Sequence, residues 1–231
     1  MTYLPRDWDN HPPLIYSDYQ STNLRGPTQP LVPIQQREGE ITGPAFGARH
    51  LGPLDHDLTR NARVNGEPIG ERIVVTGQVR DESGNPIPGT MIEIWQANAA
   101  GRYIHVVDNH AAPLDPNFLG AGRCVTDENG NYRFYTVKPG AYPWKNHPNA
   151  WRPNHIHFSL FGPAMATRLV TQMYFPGDPL LDLDPIFQGA PAAARNRLVS
   201  RFSIDVTEPE FALGYVFDIV LRGRSATPVQ H

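Results

Sequence analysis

Cysteine is nearly absent. The chain of 231 residues has one, Cys124, which excludes an intrachain disulfide, a thiolate metal site and a paired-cysteine redox centre. Cys124 lies in an apparent strand and reads as a buried structural thiol. An excess of one charge is also missing: 20 Lys and Arg stand against 23 Asp and Glu. With no basic run and no basic amphipathic helix, nothing marks a nucleic-acid surface. No apolar stretch approaches membrane-spanning length, and the segment Met1 to Asp9 has neither a cationic nor an apolar leader region, so a cytoplasmic protein is expected. Helical periodicity is scarce as well.

What is present is turn chemistry and β-rich runs. Residues 1–70 are rich in Pro, Gly and Asn with few periodic apolar positions, which predicts an extended N-terminal arm lying on a surface. From Arg72 the pattern changes. Ile73 to Val79 and Met91 to Trp95 flank the turn sequence Asp81-Glu82-Ser83-Gly84-Asn85-Pro86, and a matching pair, Arg123 to Thr126 and Tyr132 to Tyr135, flanks Asp127-Glu128-Asn129-Gly130-Asn131. Both read as hairpins. Further strands are expected at His155 to Leu160, Leu169 to Phe175 and Tyr215 to Leu221, with short helices at Asp55 to Asn61 and Ala192 to Phe202. The expected fold is mainly β: a prealbumin-like β-sandwich over residues 71–231 with few short helices.

The stretch Trp151-Arg152-Pro153-Asn154-His155-Ile156-His157-Phe158 carries the chemistry. Period-2 alternation puts Ile156, Phe158 and Leu160 on one strand face and both histidines on the other. Two imidazoles on one face can fill adjacent positions around a metal, although a hydrogen-bonded pair has the same pattern. The usual completion of a zinc or ferrous site is lacking: residues 142–161 contain no Asp or Glu, and no third His stands at helical spacing. Phenols are nearby instead, Tyr142 in a Pro-bracketed loop and Tyr103 after Gly101-Arg102. A free Tyr, with a pKa of about 10, ligates as an anion at neutral pH only beside a strong Lewis acid. Tyr with His points to ferric iron, while each Tyr taken alone reads more readily as a packed aromatic with a hydrogen-bonded hydroxyl.

At these residues the chain resembles the intradiol ring-cleaving dioxygenases. The supporting segments are Gly66 to Arg72, Trp95 to Tyr103, Ala112 to Phe118, Lys138 to Trp144, Trp151 to Phe158 and Phe217 to Gly223. The resemblance implies one non-haem Fe(III) per chain, held by Tyr103, Tyr142, His155 and His157 with hydroxide as a fifth ligand, Tyr142 and His155 being axial. Three anions would then balance the ferric charge, and a catecholate dianion replacing hydroxide and one tyrosinate would conserve that balance. Tyr142 would thus be both ligand and base. Arg152 would stabilise negative charge on the substrate, with Gln172 able to hydrogen-bond it; an ion pair at the surface is the other reading of Arg152. Trp144 and Ile186 would line the substrate pocket, Tyr19 would meet a substrate carboxylate, and Trp95 is a further pocket candidate, although a strand Trp is more often core.

The implied reaction is O2-dependent cleavage of protocatechuate (3,4-dihydroxybenzoate) to 3-carboxy-cis,cis-muconate, in aromatic catabolism by the β-ketoadipate pathway. The implied assembly is a hetero-oligomer with a homologous α chain. Catechol or hydroxyquinol 1,2-dioxygenase is the enzymatic alternative, but residues 1–70 lack the periodicity of a helical dimerisation region. A non-catalytic prealbumin-like binding module is the alternative of another class. Lys145 and the segment Ile104 to Val107 depart from the family pattern and bear on substrate access.

Overall fold

The computed structural model describes residues 7–32, 51–148, 151–161 and 168–230. Residues 1–6 and 33–50 of the expected arm, and Asn149, lie outside them. In the described part of the arm a 3-10 turn at Trp8–Asn10 and one short helix, α1 (Thr22–Arg25), are the regular elements. Two sheets follow. In one, β1 (Arg72–Arg80) pairs antiparallel with β4 (Asn131–Val137) and parallel with β10 (Leu213–Val216) and β11 (Ile219–Val220), while β9 (Arg201–Phe202) adds to β10. In the other, β2 (Met91–Trp95), β3 (Ala121–Val125), β7 (His155–Phe161) and β8 (Arg168–Tyr174) run antiparallel in the order β3-β2-β7-β8. A ribbon of β5 (Tyr142–Pro143) and β6 (Trp151–Arg152) stands apart. Two short helices, α2 (Pro185–Gly189) and α3 (Ala192–Arg195), complete the order.

The core is the interior between the two sheets, where Ile73, Val75, Val79 and Phe134 meet Ile92, Ile94, Ile156, Phe158, Leu160 and Met173. These positions follow the alternation expected of half-buried strands. Strand β7 departs in an informative way, being buried along its whole length. Its Ile156, Phe158 and Leu160 belong to the core cluster, so His155 and His157 occupy the opposite face of the sheet. That face is covered too, and its polar side chains are inside the protein.

Neither expected hairpin forms. Strands β1 and β2 belong to different sheets, as do β3 and β4. Each intervening turn satisfies itself. Asp81 accepts from the backbone N–H groups of Ser83 and Asn85, and Asp127 does the same for Asn129 and Asn131. A turn so closed leaves the flanking strands to diverge to opposite sides of the core, and local pattern does not distinguish that arch from a hairpin.

Three other expectations need correction. Residues 55–61 form turns rather than a helix: the Leu58 N–H donates to the Tyr135 carbonyl, the Asp57 carboxylate accepts from Thr59, and the Leu58 side chain enters the core. The helix expected over 192–202 stops at Arg195 and passes through a 3-10 turn, because Ser200 bonds the Tyr174 carbonyl through both its N–H and its hydroxyl. The strand expected over 215–221 is two strands broken at Phe217 and Asp218. There the Phe217 carbonyl lies where a side chain on Gly77 would stand and accepts from the Tyr132 hydroxyl at 2.5 Å.

Candidate metal centre

The outer face of β7 organises the site through strand register. His157 stands opposite Trp95 of β2 and Gln172 of β8, while His155 stands opposite Tyr174. Cross-strand neighbours on one face are in contact, and the Trp95 ring stacks on His157 with centroids 4.7 Å apart and planes 5° from parallel. Trp95, read as either pocket or core, thus lies against His157 of the site. The ribbon delivers the next layer, with Tyr142 directly opposite Arg152.

The two tyrosine-bearing loops are locked together by glycine. Gly101 has φ +78, and a Cβ there would lie 2.1 Å from the Ala141 carbonyl oxygen; a Cβ on Gly140 would lie 2.4 Å from that of Ala99. The N–H groups of both glycines donate to the Asn98 carbonyl. Only residues without side chains permit this backbone approach, and it brings the Tyr103 and Tyr142 rings to 5.4 Å, edge to face.

The four residues expected to be ligands come together. The Tyr142 hydroxyl is 3.4 Å from His155 Nε2, which is 3.2 Å from His157 Nε2. The other ring nitrogens are engaged: His155 Nδ1 meets the Pro153 carbonyl at 2.7 Å, and His157 Nδ1 meets Gln230 Oε1 at 3.1 Å. Nδ1–H donation to these oxygens would leave both Nε2 lone pairs facing inward, the arrangement of metal-binding histidines. Burial, then the Arg152 charge, holds both imidazoles neutral, with His155 well below the ordinary range and His157 lowered to about 3. Burial, then the neighbouring Tyr142, keeps the Tyr103 hydroxyl well above the ordinary phenol range. That hydroxyl is buried without a hydrogen-bond partner among the described residues. A buried phenol without a partner among the described residues, in one cluster with two imidazoles, fits a hard trivalent cation, which would supply the missing partner and the field needed to ionise the phenol.

Arg152 is not at the surface. It is buried, and Asp184 grips it side-on, Oδ1 accepting from Nε at 2.9 Å and Oδ2 from Nη2 at 3.1 Å. Burial opposes its charge, yet Asp184, followed by the Tyr174 and Tyr142 hydroxyls, raises its pKa well above normal. Gln172 Oε1 accepts from the same Nη2 at 2.6 Å, as expected, and from the Tyr174 hydroxyl at 2.9 Å. The guanidinium also lies over the Trp144 ring at 5.4 Å. Tyr19, from the arm, packs edge-on against Trp144 at 5.3 Å and carries the Arg25 guanidinium over its face at 4.8 Å. Ile186 is half-buried in α2, whose N-terminus Asp184 caps by accepting from the Phe187 N–H.

Sequence reasoning missed Asp184, Tyr174 and Gln230. For Asp184 a local signal existed, since Asp before Pro185 is a helix-start pattern, but it pointed to a cap and not to Arg152. Tyr174 falls on the histidine face of β8 by alternation alone. Gln230 carries no signal in the sequence.

A family model described as Dioxygenase matches residues 41–223, and one described as Protocatechuate 3,4-dioxygenase beta subunit N terminal matches residues 4–37. The chain therefore belongs to the intradiol dioxygenase family. Within that family it is 68% identical to the protocatechuate 3,4-dioxygenase beta chain of Burkholderia cepacia, over 98% of this chain and 96% of that one. Among solved structures, 3-chlorocatechol 1,2-dioxygenase from Rhodococcus opacus 1CP matches with TM-score 0.55 and 25% identity, covering 78% of this chain and 70% of that one. Hydroxyquinol 1,2-dioxygenase from Pseudomonas putida DLL-E4 also has TM-score 0.55, at 20% identity over 93% and 73% of the two chains, a likeness of fold. No helix among the described residues is long and apolar enough to cross a membrane.

Proposed function

We propose that this chain binds one non-haem Fe(III) and cleaves protocatechuate with O2 to 3-carboxy-cis,cis-muconate, both oxygen atoms entering the product. The observation that carries the reading is the gathering of Tyr103, Tyr142, His155 and His157, with the Tyr103 phenol buried and without a hydrogen-bond partner among the described residues. Bound Fe(III) would supply chelation of the catecholate and activation of its ring toward O2. Tyr142, whose hydroxyl is 3.4 Å from His155 on a two-residue ribbon, is the ligand suited to release and take a substrate hydroxyl proton. Arg152, permanently charged and fixed by Asp184 and Gln172, stabilises anionic character on the substrate ring. Trp144 and Ile186 line the ring's pocket, and Tyr19 with Arg25 meets the carboxylate that distinguishes protocatechuate from catechol.

Residues 1–70 are read as an arm and residues 71–231 as the catalytic sandwich. The name of the Burkholderia relative supports an α-chain partner, which the arm would contact, and the assembly would serve aromatic catabolism in the cytoplasm. The test is O2 uptake with muconate formation from protocatechuate, catechol and hydroxyquinol in parallel. Turnover of protocatechuate well above the others is expected; a preference for catechol would overturn the substrate, and no turnover of any after iron loading would overturn the enzyme.

A further inference from the structure

We infer that Gln230 is a positioning residue for the metal centre: its side-chain oxygen holds His157 in the tautomer that presents Nε2 to the cation. The inference rests on the reading of the centre as an iron site. Gln230 lies 73 residues downstream of His157 and meets its Nδ1 at 3.1 Å. The segment around it is strapped down on all sides. The Gln230 N–H donates to the Val170 carbonyl at 2.8 Å and Thr171 Oγ1 to the Pro228 carbonyl at 2.7 Å, both on β8. The Thr227 N–H donates to the Val220 carbonyl at 2.9 Å, and the Val229 N–H to His11 Nδ1 of the arm at 3.2 Å. Four such bonds fix where the Gln230 side chain begins. Trp95, stacked 4.7 Å away, fixes the plane of the His157 ring.

The tautomer is an open question for His157 and not for His155. The latter's Nδ1 faces a backbone carbonyl, which only accepts, so its Nε2 is unprotonated. His157 Nε2, 3.2 Å away, has two choices. With Gln230 Oε1 turned to Nδ1, the proton is held there and both Nε2 atoms are free for a metal. With the amide reversed, the proton sits on Nε2 and bonds His155, closing the site. A side-chain amide offers both faces, and Gln230, with Oε1 turned to Nδ1 at 3.1 Å, sets the choice from outside the ligand set.

The experiment has two readouts. In metal-free protein, nitrogen-15 NMR of the histidines is expected to show His157 protonated on Nδ1, and Gln230→Leu is expected to lose that preference. In iron-loaded protein, competition with EDTA is expected to show Fe(III) binding about 10- to 100-fold weaker in Gln230→Leu, the scale of lost outer-shell partners. Gln230→Glu, which retains an acceptor, is expected to hold iron as the wild type does. Val229→Ala, which loosens the same segment without touching the acceptor, is expected to lower Tm and leave iron affinity unchanged. A wild-type His157 protonated on Nε2, unchanged iron affinity in Gln230→Leu, or equal losses in Gln230→Glu or Val229→Ala would each overturn the inference. A wild type that takes up no iron would instead overturn the iron reading, and the tautomer measurement would still decide the role of Gln230.

Discussion

Removing the charge of Asp184 isolates the grip on Arg152. Asp184 and Arg152 are fully buried, with side-chain exposures of 0% and 3%, so the guanidinium left behind has no water to turn to. In Asp184→Asn one amide oxygen remains to cap α2 at the Phe187 N–H, and the loss is chiefly that of the negative charge. Breaking a buried pair from one side costs about 3–5 kcal/mol, against a total stability on the order of 5–15 kcal/mol. Asp184→Ala adds the lost cap, about 1 kcal/mol more. Urea denaturation of the purified protein measures both. The double variant Arg152→Met with Asp184→Leu supplies the control, because an apolar pair of similar volume leaves no stranded charge and should cost less than Asp184→Asn alone. An Asp184→Asn loss below about 1 kcal/mol, the range of an exposed pair, would refute the claim that Arg152 depends on this carboxylate.

Other outcomes follow from the same structure. Both buried histidines have pKa values below the unfolded value of about 6.5, so the unfolded chain binds protons that the metal-free folded chain refuses. Stability should fall with pH below about 6.5, by about 1.4 kcal/mol per unit for each histidine, with the His157 share ending near its value of about 3; Tm against pH checks this, and His157→Gln should roughly halve the slope. Gly101→Ala places a side chain at positive φ against the Ala141 carbonyl, costing about 1–2 kcal/mol from backbone alone, and should lower iron retained after gel filtration by separating the two tyrosine loops. Cys124, buried and with its thiol pushed up to about 12, should resist a disulfide reagent in the native protein and react in urea.

The residues of the candidate centre were legible as neighbours because each lies in a short rigid context, the histidines by strand alternation and Tyr103 and Tyr142 in loops punctuated by Gly and Pro, while their joining into one ligand set came from the family resemblance. The sandwich was legible for a similar reason, since β-rich runs and Asp-initiated turns are local. Partners were not. Asp184 reaches Arg152 across 32 residues and Gln230 reaches His157 across 73, and no local propensity encodes either meeting. The two false hairpins have the same origin, because an Asp turn that closes on itself is compatible with pairing or with crossing, and the packing of Ile73, Ile92 and Phe134 into one core decides for crossing. The helix expected at 55–61 failed because Leu58 is drawn into that core and its backbone to β4.

A visible spectrum of the purified, iron-loaded protein before and after anaerobic protocatechuate tests the central claim most directly. The account predicts a tyrosinate-to-iron charge-transfer band that changes on adding the substrate, with Tyr142→Phe altering both the band and the change. A protein that stays colourless after iron loading, or a band indifferent to protocatechuate, would contradict it.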